Sequence, residues 1–147
     1  MDFLDTNVII RYLTQDHPQQ SQQAYQYLQQ LGTGATTART SEGVLVEVVQ
    51  VLSSRVLYYL PRADIQRLLS PVIRLPGLKL PSKRTYLRAL DLYVDHPFPD
   101  FVDALNVAHM ERLKIPSSPA LTAILTGSRA LPARCRDRVE AIAASNP

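Results

Sequence analysis

The 147-residue chain reads as an α/β protein of three layers, with a short, mostly parallel sheet between helices. Three observations point there. Short apolar segments that read as strands alternate with longer segments of helical periodicity. The first strand-like segment, Phe3-Leu4, is followed at once by a carboxylate, Asp5, and then by an apolar helix. Hydrophobic residues make up 46% of the chain, which at this length supports one domain with a real core.

The elements follow in order. Met1 to Leu13 gives strand, acidic turn and helix, so Asp5 sits at the carboxyl end of the first strand, where open α/β sheets place their ligands. Thr6 or Asn7 is the expected cap of that helix, although capping is also the plain structural role for Asp5 itself. Asp16-His17-Pro18 makes a turn, and Pro18 opens a helix to about Leu31 with Ala24, Tyr25, Leu28 and Leu31 on one face. Gly32-Thr33-Gly34 ends it. Ala35 to Thr40 is the second strand, and Ser41 caps a strongly apolar helix running from Val44 to Leu52 and continuing from Ser53 to Leu60. Pro61 starts the next helix, with Ile65, Leu68, Leu69, Val72 and Ile73, which Pro76-Gly77 closes. Leu78-Lys79-Leu80 alternates as a third strand. Pro81-Ser82 opens a helix through Tyr93, His96-Pro97 breaks it, and Pro99-Asp100-Phe101 starts a last one to about Leu113.

Composition narrows the chemistry. The lone Cys135 forms no internal disulfide, and the three histidines, His17, His96 and His109, stand at no ligand spacing, so a metal here would take oxygen ligands, as Mg²⁺ or Mn²⁺ does. No apolar run approaches the roughly 20 residues that span a bilayer. The N-terminus shows neither a basic n-region nor a signal-like cleavage site, so a cytoplasmic location is expected, with no membrane partner. A net charge of +3 and a pI near 9.2 permit a polyanionic partner without demanding one.

Four acids carry the chemical argument. Glu47 lies inside the most apolar helix, where burying a carboxylate without a partner is costly, which favours a site over a solvated face. Asp100 and Asp103 share one face in the first turn of the last helix. Capping explains one of them and leaves the second unexplained. With Asp5, these acids can converge at one edge of a parallel sheet, where bound divalent cations relieve their repulsion. Cations so held can activate water and steady the leaving oxygen of a phosphodiester.

These stretches resemble PIN-domain proteins, and among them VapC-type toxin ribonucleases of bacterial toxin–antitoxin pairs. The resemblance rests on Leu4-Asp5-Thr6-Asn7-Val8, on Glu47 within Val44 to Leu52, and on Asp100-Phe101-Val102-Asp103-Ala104-Leu105, in the expected order and spacing. It implies a PIN-like fold with Asp5, Glu47 and Asp103 as catalytic and metal-site acids and Asp100 beside them. Thr6 and Asn7 would support the site. It also implies Mg²⁺- or Mn²⁺-dependent cleavage of RNA, a homodimer, and a cognate antitoxin that blocks the site.

The resemblance runs to about Ile115, dividing the chain into a PIN-like domain, 1–116, and an atypical tail, 117–147. The family continues with a strand and a Ser/Thr-Phe-Asp-type motif that supplies a further acid; here no carboxylate follows Ile115 until Asp137. Codons for Pro119 onward can be written so that the frame starting on the third base reads Ser-Phe-Asp-Arg-Asp-Phe-Asp-Arg-Val-Pro-Gly-Ile-Thr-Arg, close to the missing family terminus. The tail from about Ser117 is therefore read as a frameshifted product, with Leu121 in the place of the lost acid. The expected consequence is an attenuated nuclease. A degenerate PIN fold that docks antitoxin or RNA without cutting is the alternative, and a phosphoacceptor receiver domain is disfavoured because mid-chain offers Glu47 inside a helix. Tyr58 and Tyr59 are expected to pack, a subunit contact being one place for it, rather than stack on bases. Arg11, Arg39 and Arg55 could touch RNA phosphates, but an ordinary solvated face is the expectation. Sequencing the gene checks the frame: different bases at these codons contradict it.

Overall fold

The computed structural model describes residues 1–116, so the tail 117–147, with Leu121 and Asp137, lies outside the described residues. The chain folds as β1 (Asp2–Phe3), α1 (Thr6–Thr14), α2 (Pro18–Thr33), β2 (Ala38–Arg39), α3 (Glu42–Ser53), α4 (Arg62–Arg74), β3 (Leu78–Lys79), α5 (Lys83–Asp95) and α6 (Phe101–Leu113). The three strands pair in parallel in the order β1-β2-β3. This helix-rich fold around a short parallel sheet is the α/β, PIN-like class expected from the alternation of elements.

The strands are two residues each, but around β2 and β3 period-two burial extends beyond them. Ala38, Thr40, Leu78 and Leu80 are buried, while Arg39 and Lys79 between them are exposed; in β1 Asp2 and Phe3 are exposed and Leu4 after them is buried. The buried row joins Ile9, Leu31, Leu45, Leu52, Leu69, Leu90 and Leu105 in one core. Each fully buried leucine contributes about 2 kcal/mol by removal from water. Gly77 is required where β3 passes the end of α2. Its N–H donates to the Leu31 carbonyl at 2.8 Å, and an added Cβ would stand 2.8 Å from that same oxygen.

Leu4 fixes the exit from β1. Its N–H donates to the Arg39 carbonyl at 2.7 Å, and its carbonyl accepts from the buried Thr40 hydroxyl at 2.8 Å. Both backbone groups are thus satisfied by the neighbouring strand, as burial requires.

Arg62 performs a similar task for α6. Its guanidinium donates to the carbonyls of Tyr93 at 3.0 Å and His96 at 3.2 Å and to that of Phe98, and lies 4.2 Å from the centre of the Tyr93 ring. Those carbonyls belong to the end of α5 and the segment leading into α6.

The expected helix from Ser53 to Leu60 is not formed: α3 ends at Ser53. Ser53 bonds back to the Gln50 carbonyl, and the Ser54 carbonyl accepts from both Leu57 and Tyr59, a turn that competes with helix. Tyr59 takes a positive φ of 48° and is exposed. Tyr58 instead reaches across to Asp16, donating to its carboxylate at 2.5 Å.

Tyr58 and then Arg11 hold the Asp16 carboxyl at about 2, below its ordinary 3.8. An acid with a depressed folded pKa stabilises the fold above its unfolded value, and that contribution fades as pH falls toward the folded one. Tyr58→Phe is therefore expected to reduce the loss of Tm between pH 3.8 and about 2. An identical acid limb in variant and parent would contradict the contact.

Candidate active site

Asp5 is the N-cap of α1: its Oδ1 accepts from the Val8 N–H at 3.1 Å. The expected caps, Thr6 and Asn7, lie inside the helix instead. Asp5 can cap because Leu4 is held by its bonds to β2 and Asp5 itself is extended, which turns its side chain toward the free N–H groups of the first turn. Its Oδ2 has no hydrogen-bond partner among the described residues.

Thr6 opens α1 and is only 9% exposed. Its hydroxyl donates to Glu47 Oε2 at 2.5 Å, tying the helix after β1 to α3 across 41 residues of sequence. Glu47 itself is exposed on α3 while holding this partner. The apolar face of α3 is formed by Val44, Leu45, Val48, Val49 and Leu52, and the helical turn puts Glu47 at its margin. Asn7 is exposed and lines an open groove of about 700 Å³ between β1, α1 and α2, together with Phe3, Val8, Arg11 and Tyr27.

Asp100 caps α6, its Oδ1 accepting from the Asp103 N–H at 3.1 Å. Asp103 is half-buried. Burial first, and then the neighbouring Asp100 charge, raise its carboxyl above its ordinary value.

The structure thus forms two linked pairs, Thr6 with Glu47 and Asp100 with Asp103, carried on α1, α3 and α6, and α3 packs against both other helices. Among the described residues no three His, Cys, Asp or Glu side chains stand together as a ready cation cage. The donors are nonetheless of the right kind. All are carboxylate oxygens, which suit a hard divalent cation, and the raised Asp103 beside Asp100 is a concentration of negative charge that a cation relieves.

The chain matches the PIN domain over residues 3–131. It belongs to the PIN domain family. The match extends past Ile115, where the motif resemblance stopped. PIN domains are generally metal-dependent nucleases, which agrees with acids at the carboxyl end of β1 and at the start of α6. No curated protein matches the chain.

Two features of this PIN domain escaped the sequence reading. Arg62 follows Pro61 at a helix start, where a cation opposes the helix dipole; that misplacement was the available signal that its charge is used elsewhere. His109 is no loose surface residue. It is half-buried on α6, 2.8 Å from Glu42 Oε2, which also accepts from the Tyr86 hydroxyl at 3.2 Å. This joins the start of α3 to α5 and α6.

Thr6→Val keeps the shape and removes the donor to Glu47. A hydrogen bond to a charged group supports a loss of about 1.5 kcal/mol in urea unfolding. Outer groups that orient ligands also support an about tenfold weaker response to Mg²⁺. A variant equal to the parent in both would show that the contact orients nothing.

Proposed function

We propose that the protein is a Mg²⁺- or Mn²⁺-dependent endoribonuclease, the toxin of a type II toxin–antitoxin pair, working in the cytoplasm at reduced strength. The observation that carries this reading is the Thr6–Glu47 hydrogen bond in a PIN-family chain, because it couples the acid-bearing exit of β1 to the acid of α3.

Asp5, Glu47 and Asp103 are the metal-site acids in this reading, with Asp100 beside them. Bound there, a divalent cation supplies the positive charge that hydrolysis of a phosphodiester requires. The chain's own residues hold and orient. Asp5 keeps one carboxylate oxygen on the Val8 amide, which leaves the other for a ligand. Thr6 holds one oxygen of Glu47, and Asp100 fixes the first turn from which Asp103 projects. Asp103, whose carboxyl is raised by burial and then by the Asp100 charge, is an acid that a nearby cation would stabilise.

Attenuation follows from the sequence after Ile115, which offers no acid before Asp137. The same fact supports the second reading, a PIN fold that binds antitoxin or RNA without cutting. Val56, Leu57 and Tyr59 are exposed on the 54–60 turn, Val56 at 89%, and offer an apolar contact for a homodimer.

Titration of Mg²⁺ or Mn²⁺ against a labelled RNA tests the function. Slow cleavage is expected, rising with the cation, stopped by EDTA and lost in Asp5→Asn. Cleavage indifferent to EDTA or to Asp5→Asn would contradict the metal reading. Retained RNA or antitoxin binding with no cleavage at any cation concentration would select the second one.

A further inference from the structure

In the parallel register Phe3 stands opposite Arg39, and Arg39 opposite Lys79. Register partners in a sheet project to the same face, so the three side chains form one row across the strands. All three are exposed, Phe3 at 60%, while Ala38 and Leu78 beside them are buried on the other face. The row therefore presents an aromatic ring, a guanidinium and an ammonium to solvent in order.

Such a row is costly as it stands. Like charges opposite one another on neighbouring strands, about 4.8 Å apart, destabilise the pair. Neither Arg39 nor Lys79 has an ion-pair partner among the described residues. Both line an open groove of about 430 Å³ with Lys83, Leu80 and Pro81, and no carboxylate is among the described residues lining it. Lys83 is pinned there by its hydrogen bond to the Leu75 carbonyl at 2.7 Å, and Arg84 follows it, exposed, at the start of α5. Three cations thus crowd a groove to which the described residues supply no counter-charge.

The row also has a direction. The Arg39 carbonyl accepts from Leu4, the residue directly before Asp5. A chain lying along the row from Lys79 to Phe3 arrives at the exit of β1.

We propose that Phe3, Arg39 and Lys79, extended by Lys83, form a docking row for single-stranded RNA that leads into the acid site. The proposal rests on the nuclease reading above. Phosphodiester groups provide the missing negative charge, and an unpaired base stacks on the Phe3 ring, the combination by which single strands are held without sequence preference. An acidic protein segment would satisfy the cations but has no planar base to offer Phe3. A duplex keeps its base faces buried.

The test measures binding of a fluorescent oligouridylate by the full chain carrying Asp5→Asn, in EDTA, across a salt series, so that cleavage plays no part. Arg39→Gln with Lys79→Gln should weaken binding about tenfold or more and reduce the slope of log K against log salt by about 1.4, two phosphate contacts' worth. Phe3→Ala should weaken binding about tenfold with the slope unchanged, and Phe3→Tyr should restore it. These side chains are exposed, and matching Tm values will confirm that the variants fold. Equal affinity in parent and variants would overturn the row, as would no binding by the parent, or displacement by polyglutamate as effective as by unlabelled oligouridylate. The two readings fail separately. A protein that cleaves while its row variants bind normally keeps the nuclease and loses the row; one that binds through the row and never cleaves does the reverse.

Discussion

Leu4 is buried with both backbone groups bonded to β2, its N–H to the Arg39 carbonyl and its carbonyl to the Thr40 hydroxyl. The Asp5–Thr6–Glu47 half of the candidate site starts from that closure. With Leu4 immobile, Asp5 emerges from the sheet at one place and can cap α1 rather than sample the solvent. With Asp5 as cap, Thr6 becomes the first residue of the helix and its hydroxyl meets Glu47. A strand of two residues would be a weak anchor by itself. The bonds to β2 and the burial of the Leu4 side chain make it a strong one.

The other half of the site depends on a different clamp. Asp100 and Asp103 sit at the start of α6, whose approach is set by the segment from Tyr93 to Phe98. Three carbonyls of that segment converge on one guanidinium, Arg62, which also stacks on Tyr93. Arginine suits this role because its fork of donors is rigid and its charge permanent. The Glu42 contact with His109 and Tyr86 then holds α6 to α3 further along. The helices that carry these acids are therefore held together by cationic and polar contacts lying outside the acid set.

Much of the fold was legible because its signals are local. Gly34 and Ser41 end and begin helices as their chemistry requires, Asp100 caps α6, and the alternation around Arg39 and Lys79 marks strands with one buried face. The misses were cases where a distant partner decided. Ser53 to Leu60 carries residues that tolerate helix, but Tyr58 is drawn to Asp16, 42 residues away. For Glu47 its apolar neighbours favoured a site over a solvated face; the side chain is exposed and its partner is Thr6, 41 residues away. The candidate acids were legible by residue type and spacing. The Thr6–Glu47 bond and the Arg62 clamp were not, since nothing local says which hydroxyl or which carbonyls a side chain will find.

The proposed function has Asp5, Glu47 and Asp103 holding one divalent cation at the exit of β1. Anomalous diffraction from crystals of the full chain soaked in Mn²⁺ tests that most directly. The account predicts a Mn²⁺ peak bounded by carboxylate oxygens of these three residues, with Thr6 still bonded to Glu47. A peak held by other residues, or none at saturating Mn²⁺ while the three carboxylates face apart, would contradict it.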